Sequence, residues 1–190
     1  MALSFDDGPD AMTPVYLDTL DRLGIRATFF VIGANCERHP HLVKEMVRRG
    51  HDVVPHGFSH RRFPLMTARE LFSELKQSAK VLSHLPQRRG NLVRPPGGHV
   101  TVRTIALCSM FGYTTALWSL NSEDCREKDP EKIARATVPD DVRPGEIVLM
   151  HEGQEWTLEA LPLIVERARA RGYTLCRVSD LLAGSASPAA

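Results

Sequence analysis

Neither sign of charge dominates this sequence of 190 residues: 24 lysines and arginines stand against 23 aspartates and glutamates, with no long run of either. The electrostatic footprint of a protein that binds nucleic acid or an anionic membrane surface is therefore missing. Paired cysteines are missing too. Cys36, Cys108, Cys125 and Cys176 are widely scattered and form no C-x-x-C motif, so neither a zinc ribbon nor a small disulfide framework is expected, and most read as buried small apolar side chains. No apolar stretch approaches the ~20 residues that span a bilayer, and no basic segment followed by an apolar one and a cleavage site stands at the N-terminus. A membrane segment is not expected. The compartment stays open, because Met1 falls almost directly on a motif with chemical content. Length leaves little room for a second core. One catalytic-size domain over residues 1–184, with a short tail at 185–190 and no indicated protein partner, is the expectation.

What the chain does have is a recurring junction in which an amphipathic helix ends at a glycine and an apolar strand follows. It occurs at Gly24 before Ala27–Ile32, at Gly50 before Asp52–Val54, at Gly112 before Thr114–Trp118, and at Gly172 before Tyr173–Val178. Glycine suits the left-handed residue that closes a helix. Thr13-Pro14 reads as an N-cap followed by proline at the first helical position, and Thr67-Ala-Arg-Glu70 as a capping box ahead of an apolar stripe at Leu71, Leu75, Ala79 and Leu82. Alternating strands and helices of this kind predict an α/β fold with a mainly parallel sheet, and a (β/α) barrel is favoured. In such a barrel the chemistry gathers where strands end.

Polar residues cluster at those positions. Leu3-Ser-Phe-Asp6-Asp7-Gly8-Pro9 runs a short strand into adjacent carboxylates; one could bind a metal and the other act as general base, although the same residues make a good turn anywhere. After the strand at Val53-Val54 come His56 and His60, four apart, and one helical turn would bring both imidazoles to one side. With one carboxylate they form a ligand set suited to zinc or another divalent transition metal. His39, His41, His51, His84 and His99 lack that context and are taken as surface or incidental. Arg94 leaves a strand into Pro95-Pro96-Gly97-Gly98, a loop able to present a backbone N–H to a developing oxyanion. His151 ends the apolar run Ile147-Val-Leu-Met, where a general acid could sit.

Taken in order, these motifs resemble the polysaccharide deacetylase family, also called the NodB-homology domain or carbohydrate esterase family 4. The resemblance runs from Leu3 to about Leu182 and rests on Ser4-Phe-Asp-Asp-Gly-Pro9, on His56 and His60, on Arg94-Pro-Pro-Gly-Gly98 and on Leu149-Met-His151. It implies a distorted, incomplete (β/α) barrel and metal-dependent removal of N-acetyl groups from an amino sugar in a poly- or oligosaccharide. It further implies Asp6 as general base, Asp7, His56 and His60 as ligands of a divalent metal, His151 as general acid, and Arg94 as the partner that orients Asp6. Zinc is the expected ion, with cobalt, nickel or manganese able to replace it. Asp124 is the candidate carboxylate beside His151. The Gly97 N–H after Pro96 would help bind the oxyanion, Leu149 would pack against the acetyl methyl, and Trp118 could offer a sugar-facing surface. The resemblance also favours a secreted or cell-envelope protein.

Three departures from the family pattern stand out. Asn121 and Cys125 replace an aspartate and a tryptophan in Asn121-Ser-Glu-Asp124-Cys125, Gly57 follows the first histidine where a hydroxyl residue is usual, and Gly97 stands in place of an aromatic. A metal-independent amide hydrolase of the same superfamily and a catalytically impaired carbohydrate-binding domain are the alternatives.

Overall fold

The computed structural model describes residues 1–85 and 91–184, so the tail expected at 185–190 lies outside the described residues. Five parallel strands form the main sheet in the order β3-β2-β1-β7-β6: β1 (Ala2–Asp6), β2 (Thr28–Val31), β3 (Asp52–Pro55), β6 (Leu120–Asn121) and β7 (Ile147–His151). A second parallel pair, β4 (Leu92–Val93) and β5 (Thr114–Thr115), meets the first sheet where the Arg94 N–H donates to the Pro55 carbonyl at 3.1 Å. The result is a distorted, incomplete barrel.

Helices wrap its outside: α1 (Thr13–Arg22), α2 (Gly33–Arg38), α3 (Pro40–Arg48), α4 (Ala68–Leu82), α5 (Val102–Met110), α6 (Pro130–Thr137), α7 (Glu155–Ala170) and α8 (Val178–Leu182). The expected capping box at Thr67 and Glu70 is present, and Leu71, Leu75 and Leu82 bury the stripe of α4. Thr13, by contrast, is already the first residue of α1. The N-cap is Met12, with no side-chain cap, because the Thr13 hydroxyl is engaged elsewhere, donating to Glu152 Oε1 at 2.6 Å.

The two-residue period of the strands sorts their side chains. Leu3, Phe5, Phe29, Val31, Val53, Val148 and Met150 face outward into the core beneath the helices, where Phe5 stacks on Phe29 at 5.3 Å and meets the Tyr16 edge at 5.6 Å. Emptying the Phe5 position to alanine would cost about 3–5 kcal/mol. Ala2, Phe30, Val54, Leu92 and Ala116 line the barrel interior instead. Asp6, His56, Arg94, Trp118 and His151 share the parity of that inner set, so each strand that carries one aims it at the same end of the barrel.

The Gly24 and Gly50 junctions lead into strands as expected. The strand after Gly112 is confined to two residues, and none follows Gly172: Cys176 makes only an isolated bridge to Ala2. This last segment crosses the opposite end of the barrel, where Cys176 and Val178 join the inner core and the Val178 N–H donates to Thr28 Oγ1 at 2.9 Å. A plug contacts one strand end and cannot sustain a ladder.

Candidate active site

Register brings the strand-end residues together. Asp6 lies opposite His151 across the β1–β7 pair and opposite Phe30, which faces Val54, across β2; His56 follows two residues after Val54. Asp6 is buried, and its Oδ1 accepts from Arg94 Nη1 at 2.7 Å. Arg94 is itself fully buried. Its guanidinium lies 3.7 Å from the centre of the Phe30 ring and donates further to Ser4 Oγ and to the Ala116 and Leu117 carbonyls. Such a buried cation is satisfied on all sides. The other oxygen of Asp6, Oδ2, lies 3.5 Å from His56 Nε2.

On one side of Asp6, the donor atoms of Asp7, His56 and His60 lie within 4.8 Å of one another. The expected helical turn between the histidines does not form. The loop instead turns through left-handed Gly57 (φ 79°) and His60 (φ 60°), and Asp7 is left-handed as well (φ 77°). At non-glycine residues this conformation costs about 1–3 kcal/mol each and persists where the surroundings over-determine it. The surroundings are visible. Glu74 of α4, buried within the apolar stripe, accepts the N–H groups of Phe58 and Ser59 at 2.8 and 2.9 Å and the Ser59 hydroxyl, and Asn35 Nδ2 donates to the Asp7 carbonyl at 2.8 Å. Glu74 thus braces the loop, so the chain does not depend on a hydroxyl at position 57. His56 Nδ1 is directed at the Arg94 carbonyl, 2.8 Å away, which leaves Nε2 to face the carboxylates. Burial holds the His56 pKa below its ordinary value despite Asp6 and Asp7 nearby. A neutral imidazole is what a metal ligand requires.

Across Asp6 stands His151. Its Nδ1 is 2.8 Å from Asp124 Oδ1, and its backbone N–H donates to Asp124 Oδ2 at 2.8 Å. Asp124 is fully buried and is held further by the Thr157 hydroxyl, while Trp156 Nε1 donates to its carbonyl at 2.7 Å. Partial burial opposes charge on His151, yet the hydrogen bond and charge of Asp124 keep its pKa raised.

The remaining expected residues surround this group. Pro96 is buried and Gly97 is exposed and left-handed (φ 67°), Leu149 is buried on the inner face of β7, and half-buried Trp118 lies where a Cβ on Gly98 would meet its ring at 2.4 Å. Asn121 accepts the Glu123 N–H at 3.0 Å and so shapes the turn ahead of Asp124. His51, taken as surface or incidental, is buried, accepting the Ala27 N–H at 3.2 Å.

A family model for polysaccharide deacetylases matches residues 1–116. The chain belongs to the polysaccharide deacetylase family. As a member of that family it is 32% identical over 188 residues to a peptidoglycan-N-acetylglucosamine deacetylase of Bacillus cereus, a match covering 96% of this chain and 87% of the relative. Among solved structures it superimposes on the T48 deacetylase with substrate at a TM-score of 0.89, with 33% identity over 99% of this chain and 93% of that one. A family 4 carbohydrate esterase from Streptomyces lividans in complex with acetate gives a TM-score of 0.86 at 28% identity, covering 93% and 90%. The chain therefore shares its fold and chain course with both of these structures.

Two contributors escaped the sequence. Glu74 had a signal, an acid at a buried position of the Leu71–Leu75–Leu82 stripe. Glu152 had none: it follows His151, is buried at 5% exposure, and packs so tightly under Gly8 that a Cβ there would lie 1.6 Å from its Oε2. Burial pushes its carboxyl up to about 8.

Proposed function

We propose that the chain is a metal-dependent N-deacetylase that hydrolyses the acetamide of an amino sugar in a poly- or oligosaccharide, releasing acetate and a free amine. The observation that carries this reading is the placement of Asp6 between two differently tuned imidazole groups, with one of its oxygens held by Arg94 and the other directed toward the Asp7, His56 and His60 cluster.

The cluster suits a cation. Asp7 Oδ1 is sealed from solvent without a directed hydrogen bond, yet it lies 3.1 Å from His60 Nε2 and 3.7 Å from His56 Nε2. One oxygen and two nitrogens with an open side match zinc, and cobalt, nickel or manganese could take the same place. When bound, such an ion supplies a Lewis acid for the acetamide carbonyl and makes water acidic enough to be used at neutral pH. Asp6, held at Oδ1 by the Arg94 guanidinium, takes the proton from the attacking water at Oδ2. The Gly97 N–H, on a loop stiffened by Pro95 and Pro96, stabilises the developing oxyanion. His151, kept protonated by Asp124, delivers its proton to the departing nitrogen. Leu149 offers the apolar floor for the acetyl methyl, and Trp118 a face for the sugar.

The naming of the Bacillus cereus relative makes N-acetylglucosamine in peptidoglycan the first substrate to try, and favours work at the cell envelope. No described helix is long and apolar enough to cross a membrane. The deciding experiment measures acetate release from peptidoglycan fragments and N-acetylglucosamine oligomers after chelation and again after zinc or cobalt is returned, with metal content measured alongside. Release that falls and recovers with the ion supports the proposal. Release indifferent to chelation, with no metal bound, overturns it in favour of a metal-independent amide hydrolase, and bound metal without release from any acetylated glycan points to an impaired binder.

A further inference from the structure

We propose that Asp124, Cys125 and His151 form a second cation site, selective for a thiophilic divalent ion such as zinc or cadmium and separate from the Asp7, His56 and His60 cluster. One ligand atom from each residue lies within 4.8 Å of the other two. Cys125 Sγ is 3.2 Å from His151 Nδ1 and 3.6 Å from Nε2. The carboxylate is already placed: Asp124 is fixed by Thr157 and by the His151 backbone. The sulfur is also accessible. Cys36, Cys108 and Cys176 are buried, whereas Cys125 is exposed, so an ion arriving from solvent meets a thiol only here.

Charge favours the same conclusion. The carboxylates of Asp124, Asp7 and Asp6 place the Cys125 sulfur in a negative field. A dication inverts that logic, because the negative field that opposes a thiolate attracts the metal that would stabilise one. Binding forms metal–sulfur and metal–nitrogen bonds and releases the Cys125 thiol proton and the His151 imidazolium proton to solvent. No electron is transferred and nothing else leaves. Three protein donors with an open position are enough for zinc.

The two sites should sort ions by softness. The Asp7, His56 and His60 cluster contains no sulfur and accepts the harder members of the transition series, whereas the thiolate of Cys125 selects against manganese and magnesium. A consequence follows that rests on the proposed deacetylase reading: an ion held by His151 removes the proton donor, so excess zinc or cadmium, but not excess manganese, inhibits turnover.

The test is a cobalt titration of the metal-free protein, followed by absorption spectroscopy and by direct metal analysis. Expected is a first equivalent without sulfur character, then a second accompanied by a thiolate-to-cobalt charge-transfer band in the near ultraviolet. Cys125→Ser, a change at an exposed side chain, should lose the band and the second equivalent while keeping the first. His60→Ala should weaken the first equivalent and keep the band. A band that survives Cys125→Ser, or wild-type protein that shows none with cobalt in excess, overturns the proposal. These readouts need no turnover, so they decide the second site even if no acetate is ever released, an outcome that would count against the deacetylase reading alone. Where acetate release is measurable, inhibition by excess cadmium should be lost in Cys125→Ser, and equal inhibition in both proteins counts against the site.

Discussion

The two flanks of Asp6 are built from the same materials and tuned in opposite directions. His56 and His151 both stand at strand ends beside buried or half-buried carboxylates. His56 is 1% exposed and turns its Nδ1 to a backbone carbonyl, and burial wins: its pKa falls. His151 is less enclosed and gives Nδ1 to an ionised aspartate, and the partner wins: its pKa rises. Whether a histidine beside an acid loses or keeps its proton is thus set by which ring nitrogen the acid reaches and by how much water remains.

The largest effect should come from removing the group both flanks serve. Asp6→Asn should lower turnover by on the order of 10³-fold while metal content is unchanged, whereas His56→Ala should lose metal and turnover together. An Asp6 variant with full activity would sink the mechanism. Next, Asp124→Asn keeps the shape of the His151 partner and removes its charge. Turnover should fall by roughly 10²-fold, and because activity is lost as pH rises through the His151 pKa, the alkaline limb of the kcat profile should move to lower pH. An unmoved limb would show that Asp124 does not set the protonation of His151.

Stability should respond to Glu152, the buried acid packed against Gly8. Its carboxyl keeps its proton up to about 8 when folded, against an ordinary value of 4.5. Between those values the unfolded chain binds fewer protons than the folded one, so stability falls as pH rises. From about pH 5.5 to 7 the loss attributable to this group is roughly 2 kcal/mol at ~1.4 kcal/mol per unit. Thermal unfolding of Glu152→Gln across that range should show a shallower slope than the parent; identical slopes would mean the carboxyl is ionised in place. The smallest effect belongs to Glu74, which acts on the His56–His60 loop through the backbone N–H groups of Phe58 and Ser59 and the Ser59 hydroxyl. Glu74→Gln should weaken metal affinity by about tenfold and leave the pH profile of kcat unchanged, a split measurable by competition with a chromogenic chelator.

Much of this was legible in the residues. The strand ends at Asp6, His56, Arg94 and His151 could be read because a strand's two-residue alternation and a helix's closing glycine are local properties. The same locality explains the failures. Tyr173–Val178 has the composition of a strand and the glycine before it, but β1 offers it only the single bridge at Ala2, so it becomes a plug. His56 and His60 have helical spacing, but the chain reaches the same juxtaposition through left-handed residues because Glu74, on another element, holds the loop. Thr13 looked like a cap and became a donor to Glu152, 139 positions away.

The sequence by itself determined which chemistry-bearing residues stand at the ends of strands and in what order, since backbone propensity and side-chain parity act over a few residues. Only the tertiary structure decided their protonation, their bracing and the company of Cys125 with His151. Those depend on desolvation and on distances of a few ångströms between segments far apart in the chain, and both quantities come into being only when the barrel closes.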